Sequence, residues 1–328
     1  MIKSDSLLRD VSRSFYLTLR ILPARIRPQI GLAYLLARTT DTIADTELLP
    51  IEQRLGALEA LRARILGKTS TAVNFGEFAR QQGSSSERLL LEECEATLTS
   101  LQQLSSTDLR FVRDVLDTIT SGQEMDLRRF AESSNKHVLA LQSAAELDDY
   151  TYRVAGCVGE FWTRICRAHL FPRAALDEKT LLENGVRFGK GLQLVNILRD
   201  LPADLKNARC YLPASELTAH GLKPEDLLNG ANEQKLRPVY NAWVERAEGH
   251  LRAGWCYTNA LPRGCVRLRL ACAWPLLIGR DTLQLLRAGK VLDPEHRLKV
   301  SRSKVRAIMC RSILLYPWKN AWQNLYPT

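Results

Sequence analysis

Apolar residues recur along most of this chain at intervals of three and four, the spacing of one face of an α-helix. Leu7, Leu8, Val11, Phe15, Leu19 and Leu22 mark a first helix over 5–22, ended by Pro23. Pro28 suits the opening turn of a second helix that runs to about Asp45, and a third covers about 50–66. From Gly67 to Glu87 the Thr-Ser-Thr and Gly-Ser-Ser-Ser runs read as a loop-rich connection. The pattern then predicts helices over 86–104, 107–131, 144–171 and 178–201, a stretch of 206–236 broken by Pro213, Gly221, Pro224 and Gly230, and long helices over 232–259 and 264–288. A basic loop and a helix near 303–315 follow. Alternating runs rich in β-branched residues are absent, so the fold class is all-α. No repeat of fixed period interrupts this order.

The chain has 328 residues, ample for a sizeable core. Its formal net charge of +10 leaves three classes of partner: nucleic acid, an anionic membrane surface, or anionic small molecules. The basic residues are scattered and no recognition motif accompanies them, which makes nucleic acid the weakest of the three and leaves most of them as a solvated face. Eight cysteines without a CxxC pair fall largely in apolar helical runs, where a free thiol packs as a small hydrophobe. With no signal-peptide pattern over 1–5, a reducing cytoplasmic setting is expected. The most apolar run, 270–279, is bracketed by Arg267, Arg269 and Arg280, too short for a membrane span.

Two acidic stretches break the apolar pattern. Asp41 and Asp45 extend one helix, and Asp200 and Asp204 extend another, each pair four positions apart. That spacing stacks both carboxylates on one helix face. Such pairs are common on solvated faces, yet here both continue helices that should be buried, and a buried unpaired charge is costly. Mg²⁺ is held by only one or two carboxylates and completes its shell with water and substrate phosphates. Two such helices facing across a cleft would clamp a diphosphate through shared metal ions.

Four blocks in register, from about residue 5 to 310, carry a resemblance. They are Ser12-Arg13-Ser14-Phe15, the run Tyr34 to Asp45, the run Tyr150 to Gly159, and Gln193 to Asp200. Together they resemble the squalene/phytoene synthase family. The resemblance implies a single isoprenoid synthase domain over 1–328, a helical bundle of the class I type with a central cavity. It also implies a prenyltransferase acting on farnesyl diphosphate.

By that resemblance Asp41, Asp45, Asp200 and Asp204 are the Mg²⁺ ligands, and Ser12, Arg13, Ser14, Tyr34, Arg38, Gln193 and Arg209 bind the substrate diphosphate. The Ala208 to Pro213 stretch matches the family's arginine-aromatic-x-proline element. Tyr150 matches the tyrosine that steers proton removal or stabilises cations, which makes Tyr150, Asp41 and Asp200 the catalytic set. Phe15, Val154, Ala155, Gly156 and Val158 would line the cavity, although small residues equally let two helices pack closely. Gly122 to Asp126 matches a further cavity-lining segment. Arg199 is expected to point away from the metals. Pro202 removes a helical N–H and is expected to bend or end the helix before Asp204, and Ala203 stands where relatives commonly carry an acid.

Ser-Arg-Ser-Phe, Arg-x-x-Asp-Thr and the basic run 298–309 are closer to squalene synthases than to phytoene synthases. In that branch Asn196, Lys299 and Arg302 fall where NADPH is contacted. The implied reaction joins two farnesyl diphosphates head to head into presqualene diphosphate, then reduces it with NADPH to squalene. The alternatives are a dehydrosqualene, hydroxysqualene or phytoene synthase without hydride transfer, a class I terpene cyclase, a catalytically silent helical partner in an isoprenoid complex, or a basic nucleic-acid binder. No anchoring helix is expected, and peripheral contact with an anionic membrane is compatible with the charge.

Overall fold

The computed structural model describes residues 2–12, 15–133, 137–295 and 297–326, with the side chains of 2–6, 15 and 17 excepted. The chain divides into two units, residues 1–131 with 161–173, and residues 132–160 with 174–328.

The first unit contains α1 (Ile2–Ser12), α2 (Phe15–Ile21), α3 (Arg27–Ala44), α4 (Ile51–Leu66), α5 (Gly76–Gln81), α6 (Ser85–Glu92), α7 (Cys94–Leu101) and α8 (Ser106–Arg129). α3 has Pro28 in its first turn, as its fixed φ favours, and buries Ile30, Leu35, Leu36 and Ile43 among its neighbours. A buried polar knot locks α3 to α8. Asp108, only 4% exposed, accepts a hydrogen bond from Gln29 Nε2 at 3.1 Å and lies 2.8 Å from His169 Nε2. Burial pushes its carboxyl up, but His169 and Gln29 outweigh that and hold it below the usual carboxylate range. The stretch read as loop-rich contains α5 and the start of α6, two short helices whose polar sequences give little periodicity.

The second unit opens with α9 (Ala144–Thr151), which passes through a π-helical turn at Tyr152–Gly156 into α10 (Cys157–Leu170), a helix that from Phe161 belongs to the first unit. Then come α11 (Glu178–Lys206), α12 (Ala214–Ala219), α13 (Glu233–Ala260), α14 (Val266–Ala288), α15 (Arg302–Leu315) and α16 (Lys319–Gln323). Two-residue strands β1 (Leu139–Ala140) and β2 (Arg209–Cys210) pair in parallel, Leu139 opposite Arg209. Strands this short leave no periodic trace in sequence.

α11 packs along α13 and against the π turn. Glycine permits that approach: a Cβ on Gly159 would lie 1.9 Å from the Gly185 carbonyl oxygen, and one on Gly189 2.1 Å from that of Ala155. Within the Tyr150 to Gly159 block, Gly156 and Gly159 therefore sit where α11 packs close. Among the described residues no helix is long and apolar enough to cross a membrane. All eight cysteines are free thiols.

Candidate active site

In the first unit the acidic pair sits at the carboxyl end of α3. Asp45 is the C-cap residue, and its N–H donates to the Asp41 carbonyl at 2.9 Å, so the i, i+4 geometry holds to the last turn. Two carboxylates there add to the partial negative charge of the helix end, an arrangement that a cation relieves. Arg38, one turn earlier, is shared: Nη1 donates to Asp41 Oδ2 and Nη2 donates to Glu87 Oε1 on α6 at 2.5 Å. The protein packed around Asp41 holds its carboxyl above the usual range despite the 42% of the side chain still open to water, and Arg38 offsets this only in part while Glu87 adds to it. Tyr34 is half-buried on the same helix, its hydroxyl 3.4 Å from the Val11 carbonyl it donates to. The buried Ser12 hydroxyl donates to the Leu8 carbonyl within α1. Arg13, Ser14 and the side chain of Phe15 lie outside the described residues.

In the second unit Gln193, Asn196, Asp200 and Asp204 follow one another at helical spacing along α11. Asn196 is exposed and Gln193 half-buried. Arg199 does not point away. It forks onto its neighbour, Nε donating to Asp200 Oδ1 at 3.0 Å and Nη2 to Oδ2 at 2.6 Å. Arg297, from the loop before α15, donates to Asp200 Oδ1 at 2.6 Å. Burial pushes the Asp200 carboxyl up, yet the two guanidinium groups hold it below the usual carboxylate range. A pocket of about 130 Å³ adjoins it, lined by Asp200, Ala203, Lys206, Lys290, Asp293 and Arg297 among others.

α11 does not end at Pro202 either; it continues to Lys206 and keeps Asp204 one turn beyond Asp200. Proline at 202 has no N–H for the Leu198 carbonyl, the acceptor that residue 202 would ordinarily serve. The hydroxyl of Tyr240, fully buried on α13, donates to that carbonyl at 2.9 Å and closes the gap. Just past the helix, Ala208 takes the left-handed conformation with φ 56°, one residue before Arg209 enters β2.

Tyr150 is buried with its ring stacked on Tyr211, centroids 4.9 Å apart, which joins α9 to the segment after β2. Val154 and Ala155 are half-buried in the π turn, Gly156 is buried beside Lys190 and Val186 of α11, and Val158 is exposed. Lys299 and Arg302 are exposed, Arg302 opening α15 after the N-cap Ser301. Among the described residues no hydrogen bond or ion pair joins either of them to Asn196.

A family profile described as squalene/phytoene synthase matches residues 8–304. The chain belongs to that family. The family and its relatives are prenyltransferase-type synthases, so this is an enzyme fold with an enzyme's relatives. A presqualene diphosphate synthase of Rhodopseudomonas palustris is 29% identical over 299 residues, spanning 90% of this chain and 91% of that one. A squalene synthase of Gibberella zeae is 28% identical over 224 residues, 68% of this chain but only 46% of that longer protein. The solved complex of TcSQS with a ligand superposes with a TM-score of 0.80 at 21% identity, covering 99% of this chain and 88% of that one, a likeness of fold.

The residues of this synthase suit Mg²⁺. Asp41, Asp45, Asp200 and Asp204 offer carboxylate oxygen alone, hard donors without thiol or imidazole. Among the described residues no group of three or more His, Cys, Asp or Glu forms a ready cage. A cation that takes one or two carboxylates and fills its shell from phosphate needs none.

Glu87 and Arg297 were not among the residues singled out from sequence. Ser84 and Glu87 have the Ser-x-x-Glu spacing of a capping box, a pattern that reads as a helix start. In the structure Ser84 makes no cap bond and Glu87 turns to Arg38. Arg297 lies in a basic loop with no periodicity to mark it.

Proposed function

We propose that this chain is a squalene synthase working as one isoprenoid synthase domain over residues 1–328. It would condense two farnesyl diphosphates head to head into presqualene diphosphate and reduce that with NADPH to squalene. The observation that carries the reading is the chemistry at Asp200: a carboxylate pair at a helix carboxyl end, with Arg199 and Arg297 already gathered on it. Asp41 and Asp45 with Arg38 repeat the combination on α3. Carboxylate and guanidinium together are what a metal-bridged diphosphate requires, the first for the cation and the second for bidentate contact with phosphate oxygens.

When bound, Mg²⁺ supplies the Lewis acid that neutralises the departing pyrophosphate. The carboxylates that would hold it are the pair Asp41 and Asp45 on α3 and the pair Asp200 and Asp204 on α11. Arg38, Arg199 and Arg209 orient the diphosphate, with Ser12, Arg13, Ser14, Tyr34 and Gln193 as further contacts. The Tyr150 ring, stacked on Tyr211, offers an electron-rich face to an allylic cation and a hydroxyl for a proton. NADPH supplies hydride, and Asn196, Lys299 and Arg302 are the residues assigned to it.

A second reading, in which the chain stops at presqualene diphosphate, is favoured by the name of the relative matched over 91% of its length. Purified protein incubated with farnesyl diphosphate and Mg²⁺, with and without NADPH, separates the two by mass spectrometry. Squalene only in the NADPH tube supports the first reading; presqualene diphosphate in both supports the second. Dehydrosqualene or hydroxysqualene in the tube that contains NADPH, or a C15 hydrocarbon in either, would refute both; without NADPH, proton loss or water capture in place of hydride delivery is what the first reading expects. Asp41→Asn and Asp200→Asn should each lower turnover by about a hundredfold or more with the fold kept.

A further inference from the structure

The carboxyl-terminal part of the second unit carries charge and apolar surface that the proposed chemistry leaves unused. From Arg297 to Thr328 the sequence has seven Lys or Arg and no Asp or Glu, within a chain of net charge +10. Lys299 and Arg302 are assigned to NADPH, Arg297 is committed to Asp200 and Lys304 lies 3.8 Å from Asp281, but among the described residues Arg306, Arg311 and Lys319 have no acidic partner. α15 buries only Ile308 and Ser312, one narrow stripe, and leaves its other faces open.

At the end of that helix the open face turns apolar. Leu314 is 67% exposed, Trp318 59% and Ile313 53%, and Pro317 between them is exposed too. The other exposed large hydrophobic residues are dispersed along the sequence, the usual condition of a soluble surface. This cluster occupies a tight, well-anchored turn. Tyr316 N–H donates to the Ile313 carbonyl and Trp318 N–H to that of Leu315; the Tyr316 hydroxyl donates to the Arg263 carbonyl at 2.6 Å, and Trp274 Nε1 donates to Ser312 Oγ at 2.9 Å.

Beside the turn lies a pocket of about 290 Å³ whose charged lining is cationic only: Arg263, Arg269 and Lys319, with Tyr316 and Trp322 as aromatic walls. Arg269 is 6% exposed and lies 5.5 and 5.4 Å from those two ring centres. Its Nη2 donates to Asn259 Oδ1 at 2.8 Å, its Nε has no hydrogen-bond partner, and no carboxylate among the described residues pairs with it. A buried guanidinium without a counter-charge, flanked by two more cations, makes the pocket a seat for an anion.

We propose that the turn joining α15 to α16 docks on an anionic lipid leaflet. Trp318, Leu314 and Ile313 enter the headgroup boundary, and the Arg269 pocket receives a lipid phosphate. Charge complementarity selects this occupant: an apolar tip beside a pocket whose charged lining is cationic, in a stretch without Asp or Glu from 297 to 328, is matched by an anionic interface, where Trp is favoured at the boundary. Apolar insertion and electrostatic attraction are two weak signals, and together they give stable but reversible binding.

The test is co-sedimentation of the full chain with phosphatidylcholine vesicles, either pure or containing about a third phosphatidylserine. Partition into the anionic vesicles should exceed that into neutral ones by about tenfold or more and fall with added salt. Leu314→Ser and Trp318→Ser, both at exposed positions, should each weaken it by about tenfold. Arg311→Gln and Lys319→Gln should each cost about fivefold. Melting curves of the variants matching the parent exclude unfolding as the cause. Equal partition into both vesicles, or apolar variants that bind like the parent, would overturn the proposal. So would inorganic phosphate binding that Lys319→Gln weakens in a protein that ignores anionic vesicles, since the anion would then be free phosphate. Vesicle binding is read without substrate, so its outcome is independent of which product the enzyme makes.

Discussion

Tyr240 should matter to stability out of proportion to one hydroxyl group. Its O–H donates at 2.9 Å to the Leu198 carbonyl, which the chain cannot serve from Pro202. In Tyr240→Phe that buried acceptor loses its donor, which costs about 1–3 kcal/mol, where an ordinary exchange of one hydrogen bond costs about 1. The ring and its packing are kept, so no cavity term is added. For a unit of this size about 2 kcal/mol corresponds to a fall of roughly 4–8 °C in Tm.

The decisive measurement is a double-mutant cycle with Pro202→Ala. Alanine restores the N–H at 202 and lets α11 satisfy Leu198 internally, so the Tyr240→Phe loss in that background should shrink to about 1 kcal/mol or less. Thermal melts and urea titrations of the four proteins give the coupling directly. Equal losses in both backgrounds, or no loss at all in the first, would refute the account of how α11 passes its proline. Because Asp200 and Asp204 stand on either side of Pro202, the same cycle read by Mg²⁺ dependence reports whether helix continuity positions the carboxylates.

Two further outcomes follow from the site geometry. Burial holds Asp41 above the usual carboxylate range and Glu87 adds to the rise, while Mg²⁺ takes only the ionised form; affinity for Mg²⁺ should therefore drop as pH falls through the raised Asp41 value. Glu87→Gln removes one of the causes, so calorimetric titrations should show that drop displaced to lower pH, and superimposable profiles would count against it. Ala208 has φ 56°, a left-handed conformation costing an alanine about 1–2 kcal/mol. After allowance for the looser unfolded chain, Ala208→Gly should raise stability by about 1 kcal/mol, some 2–4 °C in a melt, and a lowered Tm would contradict the strain.

What the sequence made legible follows the range of the interactions involved. Helical periodicity placed α3, α4, α8, α13 and α14 to within a residue or two, because each buries a long apolar stripe against its neighbours. The Asp41 and Asp45 pair was legible for the same reason: i, i+4 on a helix is a local relation, and the Asp45 N–H bond to the Asp41 carbonyl bears it out.

Where the reading failed, the missing partner lay far along the chain. Pro202 was judged by the helix it interrupts, and locally that judgement is sound; the donor that rescues it comes from α13, which no window around residue 202 contains. Arg199 is expected from sequence to point away from the metals, and adjacent residues of a helix do leave the axis about 100° apart. A long guanidinium reaches back across that angle when burial makes an unpaired carboxylate expensive, and Arg297 arrives from a loop for the same reason. Glu87 is the sharpest case. The Ser84-x-x-Glu87 spacing is that of a capping box, yet Ser84 bonds Ser86 and Glu87 meets Arg38 from α3. A cap exchanges one exposed hydrogen bond for another, whereas pairing a half-buried guanidinium with a second carboxylate satisfies a charge that would otherwise stand against desolvation. Local rules thus located the aspartates, and the desolvation of Arg38 and Asp200 decided which distant residues came to meet them.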